Sequence, residues 1–119
     1  MKRQIKWGNL SAYIAPTVTT IGSNPVLDTS VLLRGFLDDK GSASSIIVYF
    51  QWGKTTDYDS ETSHQTLISG DKLFIAWCTS LKKNTTYHFR AVAVGDGISY
   101  SKDETFRTLP GSGSFYRIF

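Results

Sequence analysis

Two histidines, one cysteine and two acidic loops are the residues of this chain whose types suit chemistry. His88 stands in Tyr87-His88-Phe89-Arg90, where alternation sends it outward with Arg90 and sends Tyr87 and Phe89 to the core. His64 stands at a polar loop. Neither has a nucleophile motif or a Cys, Asp or Glu at ligand spacing, and a catalytic triad needs assembled partners rather than a lone residue. Three carboxylates alternate in Asp57-Tyr58-Asp59-Ser60-Glu61, and Asp38-Asp39 makes a second acidic loop. Such oxygens suit Ca²⁺, but the Gly and the spacing of a calcium loop are missing, so both loops read as solvated. Cys78 reads as a small apolar core residue. No Gly-rich phosphate loop and no base–nucleophile pair is found. The expectation is a chain without catalytic residues, cofactor or metal site.

A length of 119 residues allows one domain with a real core. Charged residues make up 19% and hydrophobic ones 40%, the balance of a globular chain, and frequent aromatic and β-branched residues favour strands. No apolar run approaches the roughly 20 residues that span a bilayer, and no secretory signal follows the basic start. The net charge is +3, and Lys2, Arg3 and Lys6 account for it; the other Lys and Arg equal Asp and Glu at ten each. A nucleic-acid binder carries its excess as a stripe across the fold, so none is expected as a partner. A single cysteine excludes an internal disulfide.

The strongest strand signal runs through Tyr87, Phe89, Ala91 and Ala93, which alternate behind the polar turn Lys82-Lys83-Asn84. A Tyr just after such a turn can bury its ring and return its hydroxyl to the turn's backbone, the tyrosine corner of Greek-key sandwiches. Leu81, Thr85 and Tyr87 are the residues of that corner. Before it, Pro16 opens a short edge strand over residues 17–20, and residues 22–25 turn the chain. Strands follow over 29–37, 45–53, 64–69 and 72–79. Gly95-Asp96-Gly97 is a hairpin turn in which Gly supplies positive φ, and 98–108 returns as the last strand. Seven short strands between turn signals predict an antiparallel Greek-key β-sandwich. Residues 1–15 read as an N-terminal arm, 16–110 as the domain, and 111–119 as a Gly/Ser linker with an apolar tail.

From Pro16 to Pro110 the chain resembles a fibronectin type III domain of the prokaryotic or phage kind. The resemblance rests on Pro16-Thr17-Val18-Thr19-Thr20 and Tyr49-Phe50-Gln51-Trp52-Gly53, and most on the stretch from Leu81 to Ala93 with its Leu-x-x-x-Thr-x-Tyr pattern. Thr105-Phe106-Arg107-Thr108-Leu109-Pro110 completes it. Lys83 stands where the turn usually holds Pro, and Gly35 stands near the place of the early-strand Trp of animal modules. The resemblance implies a seven-stranded immunoglobulin-like sandwich that spaces, adheres or assembles, usually outside the cell. Val94-Gly95-Asp96-Gly97 replaces the hairpin that carries Arg-Gly-Asp in one animal module, so integrin binding is not implied.

The function expected on these grounds is a non-enzymatic protein–protein module that self-assembles or joins a larger structure. A start at Met without a signal fits either an excised segment of a larger surface protein or a virion decoration or tail subunit, and the apolar arms at both ends favour the second. If Phe74, Ala76 and Cys78 face the core, then Leu73, Ile75 and Trp77 face outward with Leu32 and Phe36 to form an exposed interface patch. Phe115, Tyr116, Ile118 and Phe119 in the tail suit addition to an open sheet edge of a neighbour. The alternative is a carbohydrate-binding module that uses Tyr49 and Trp77 as a glycan platform.

Overall fold

The structure is a computed structural model and describes residues 13–111. Nine antiparallel strands make two packed sheets, with no helix among the described residues. The strands are β1 (Thr17–Val26), β2 (Val31–Asp39), β3 (Ile46–Gly53), β4 (Ser60–Glu61), β5 (Gln65–Leu67), β6 (Lys72–Cys78), β7 (Thr86–Val94), β8 (Ile98–Tyr100) and β9 (Glu104–Arg107). One sheet runs β1-β2-β6. In the other, β3 and β7 pair at the centre, β4 and β5 share the outer edge of β3, and β8 and β9 share the outer edge of β7.

The count differs from seven because two edge strands are interrupted. Both breaks lie in one row across the sheet, where Phe50 pairs with Ala91. Beside Phe50, the hydroxyl of Thr62 replaces a ladder acceptor and takes the Phe50 N–H at 2.9 Å. Beside Ala91, the hydroxyl of Ser101 takes the Ala91 N–H at 2.8 Å. Side-chain oxygens thus satisfy the central strands while the edges bend away, which blunts an open edge.

Alternation sets the core. Val31, Leu33 and Leu37 on β2, Ile46, Val48 and Phe50 on β3, and Phe89, Ala91 and Ala93 on β7 lose all contact with solvent. Phe74 and Cys78 point inward from β6. Gly35 explains the missing early Trp: a Cβ there would stand 2.7 Å from the Phe74 ring and 3.1 Å from Phe50. Those two rings, 5.1 Å apart, fill the volume from the neighbouring strands instead.

Two local expectations are corrected. Residues 22–25 do not turn the chain; β1 continues through them to Val26, with register shifts after Thr20 and after Ser23. Extra residues in the shifts let an edge strand absorb Pro25 and a Gly22 at φ 146° without losing its pairing to β2. At the β7–β8 hairpin neither Gly95 nor Gly97 takes a positive φ. Room is what is needed there, since a Cβ on Gly97 would meet Ala15 at 2.9 Å. Tyr13 to Ala15 lie against the β2–β3 turn, where Ser42 N donates to Ile14 O at 3.0 Å. Ile5 and Trp7 of the expected arm lie outside the described residues, as do the tail residues Phe115, Tyr116, Ile118 and Phe119.

Candidate functional site

The corner is built around a buried phenol and a buried hydroxyl. Lys82 N donates to Tyr87 Oη at 2.9 Å, and the Tyr87 ring is buried between Phe106, stacked at 5.5 Å, and Trp52, edge-on at 5.8 Å. Leu81 is buried beneath the turn, and its N–H reaches Thr29 O at 2.9 Å. Thr108 closes the turn from the far side. Its hydroxyl donates to Lys82 O at 2.6 Å and accepts from Thr85 N at 2.9 Å, while Thr108 N donates to Thr85 O. Asn84, at φ 50°, accepts from Arg107 Nε and Nη2 at 3.1 and 3.0 Å. Thr108 had read only as the end of a strand.

The outer face of the three-stranded sheet is apolar. Leu73, Ile75 and Trp77 project from β6 and are 52%, 44% and 51% exposed. Opposite them on β2 stand Phe36, Arg34 and Leu32. Phe36 is half-buried, and Leu32 is only 8% exposed, which corrects its place in an open patch. Leu32 faces outward, but β2 lies between two strands while β6, among the described residues, has a neighbour on one side only. The polar groups of this face are engaged: Arg34 Nε donates to Asn24 O at 3.0 Å, and Thr19 Oγ1 to Asp38 at 2.6 Å.

The outer face of the second sheet is polar and aromatic along its middle, with Ile47 and Ile98 exposed on either side of Val94 at one end. Arg90 is held between two rings, its guanidinium carbon 4.4 Å from the centre of Tyr58 and 4.0 Å from that of Tyr100. Its Nε donates to Gln51 Oε1 at 2.9 Å. Asp103 accepts from the Tyr58 hydroxyl and stands 2.8 Å from His88 Nδ1. Burial, then the hydrogen bond and charge of Asp103, push the Tyr58 phenol up to about 12. Tyr49 stacks on His64 at 4.0 Å, and His64 Nε2 lies 3.2 Å from Glu61. Val92 pairs with Tyr49 on one side and Tyr100 on the other, and is fully buried although it points away from the core. The histidines therefore have carboxylate partners, one of them three residues away and the other on a distant segment. Among the described residues no three of His, Cys, Asp and Glu gather to hold a metal ion. Burial pushes the Cys78 thiol up to about 12, which leaves it protonated and unreactive in the core.

No family model matches the chain, and no curated protein does. Solved structures do. The sensor domain of the anti-sigma factor RsgI4 from Pseudobacteroides cellulosolvens superimposes with a TM-score of 0.64 at 18% identity, over 79% of this chain and 94% of that one. A fibronectin type III domain of human fibronectin type III domain containing protein 3 matches with a TM-score of 0.57 at 19% identity, over 83% and 91%. PhoD matches with a TM-score of 0.59, over 87% of this chain and 20% of that larger one.

The chain has the fibronectin type III fold. Within this fibronectin type III sandwich, Tyr49 and Trp77 stand on the outer faces of opposite sheets, so they cannot form one glycan platform. Tyr49 instead shares a face with Tyr58 and Tyr100. That cluster is not legible in the sequence, because its members come from separate strands and loops and meet only through pairing.

Proposed function

We propose that this fibronectin type III module is a non-enzymatic assembly subunit that associates with further copies of itself through the outer face of its three-stranded sheet. One observation carries the reading: Leu73, Ile75 and Trp77 form an unbroken exposed apolar row on an edge strand, while on the strands of the other sheet the exposed large apolar side chains are Ile47 and Ile98 at one end and Tyr100, which stacks on Arg90. The largest apolar patch on an ordinary monomer, about 300–600 Å², is often a functional surface, and this row of side chains approaches that size. Their exposed portions amount to roughly 250–300 Å², worth about 7 kcal/mol when covered. Association costs on the order of 4–15 kcal/mol in lost freedom, so this row alone supports weak contact and more surface must join it. Repeated weak contacts suit a virion or a surface assembly, where many copies act together. The name of the RsgI4 match, a sensor domain, is in keeping with recognition rather than catalysis on this fold.

Sedimentation velocity across a concentration series tests this. The full chain is expected to associate, and Trp77→Ser and Leu73→Ser are expected to remain folded monomers. A parent that stays monomeric at every concentration, or variants that associate as it does, would defeat the proposal. Binding to polysaccharides by a monomeric chain would favour the glycan alternative.

A further inference from the structure

Strand β6 presents an apolar face and an open edge through the same residues. It pairs with β2 on one side and with no other strand among the described residues. On the open side, Gln65 Nε2 from β5 donates to Ile75 O at 2.8 Å, so Ile75 turns its main-chain groups away from β2. Antiparallel pairs alternate between bonded and non-bonded, and the β2–β6 register is unbroken, so Leu73 and Trp77 turn theirs the same way. A strand laid along this edge would therefore meet the backbone and the exposed side chains of Leu73, Ile75 and Trp77 together.

The segment after Gly111 has the sequence for such a strand. Ser112-Gly113-Ser114 leads to Phe115-Tyr116-Arg117-Ile118-Phe119, whose Tyr116 and Ile118 alternate with Phe115, Arg117 and Phe119. Five extended residues span about 17 Å against about 23 Å for the seven of β6. The point of departure is anchored: Gly111 lies against the Lys83 side chain, and Leu109 N donates to Leu27 O just past β1. From Gly111 to Phe115 the chain reaches at most about 14 Å. The exposed apolar row of β6, which the self-assembly reading already turns toward a second copy, makes that copy's edge the one assigned to the segment.

We propose that residues 115–119 of one chain add as a strand to the β6 edge of a second copy, with Trp77 at the centre of the side-chain contact. The proposal rests on the self-assembly reading and supplies the additional surface that the apolar row lacks. Backbone bonds at an open edge give affinity, and alternate side chains give register. Gln65 is then a guard, because its amide must leave Ile75 O before a strand can pair there.

Full-length variants separate donor from acceptor. Trp77→Ser damages the edge, with Leu73→Ser as the second acceptor variant should the first disturb folding. Phe115→Ser combined with Ile118→Ser damages the tail. In sedimentation velocity each is expected to be monomeric where the parent associates, and an equimolar mixture of edge and tail variants is expected to recover a 1:1 complex. Gln65→Ala is expected to tighten association about fivefold, the worth of one exchanged hydrogen bond. A tail variant that associates like the parent while Trp77→Ser does not would overturn the tail as occupant and leave the face reading standing. A tail variant with unchanged sedimentation but altered tryptophan fluorescence would place the segment on its own domain and overturn exchange between copies. A mixture that forms no complex would do so as well. Association by Trp77→Ser at the parent's strength would remove the self-assembly reading itself.

Discussion

Replacing Thr108 by Val tests whether one buried hydroxyl locks the tyrosine corner. The two side chains have nearly the same shape, so the change removes polarity and leaves no cavity. Two bonds disappear: the donation to Lys82 O at 2.6 Å and the acceptance from Thr85 N at 2.9 Å. The net worth of the first is about 1 kcal/mol. Thr85 N–H is then left without its acceptor in a partly buried turn, at a cost of about 1–3 kcal/mol. The total expected loss is about 2–4 kcal/mol, which moves a urea midpoint down by about 1–3 M at unchanged slope. Thr108→Ser keeps both bonds and drops one methyl, so it should lose only about 1 kcal/mol. Equilibrium urea unfolding followed by circular dichroism measures all three proteins. If Val and Ser variants unfold at the same midpoint, the hydroxyl does not hold the turn and the argument from geometry fails.

Tyr87→Phe should lose about 1 kcal/mol or somewhat more by the same assay, since only the bond from Lys82 N is removed and the stacked ring remains. An unchanged midpoint would count against the corner. In the native protein Cys78 should react with thiol reagents only as fast as the protein unfolds. Its pKa is raised by burial from 9.0 to about 12, so its contribution to stability is complete below about pH 9 and is lost as pH rises toward 12. Rapid alkylation of folded protein at neutral pH would contradict this. Asp103→Asn removes the charge that helps raise the Tyr58 phenol, so ultraviolet titration should show that phenol ionising below about 12, with Tyr58→Phe identifying its signal. A curve identical to the parent's would mean that burial alone sets the shift.

What the sequence determined by itself lies within single strands and one turn. Alternation divided β2, β3, β6 and β7 into two faces each, because a pleat places every second residue on the same face, and in β7 it also named the core face. Leu81, Thr85 and Tyr87 announced the corner, whose pattern spans seven residues and needs no distant partner to be recognised. The outward direction of Leu73, Ile75 and Trp77 followed only if Phe74, Ala76 and Cys78 were core, the register that the resemblance suggests through Leu81. Tertiary structure decided everything that depends on which strand lies beside which. Leu32 and Trp77 point the same way, yet only Trp77 is exposed, because among the described residues β2 is flanked on both sides and β6 on one. Two hydroxyls, on Thr62 and Ser101, divide strands that no periodicity divides. Thr108 reaches back to a turn more than twenty residues earlier, and Arg90 finds Tyr58 and Tyr100 across separate segments. Alternation tells a residue its face; only the pairing order tells whether that face is already covered.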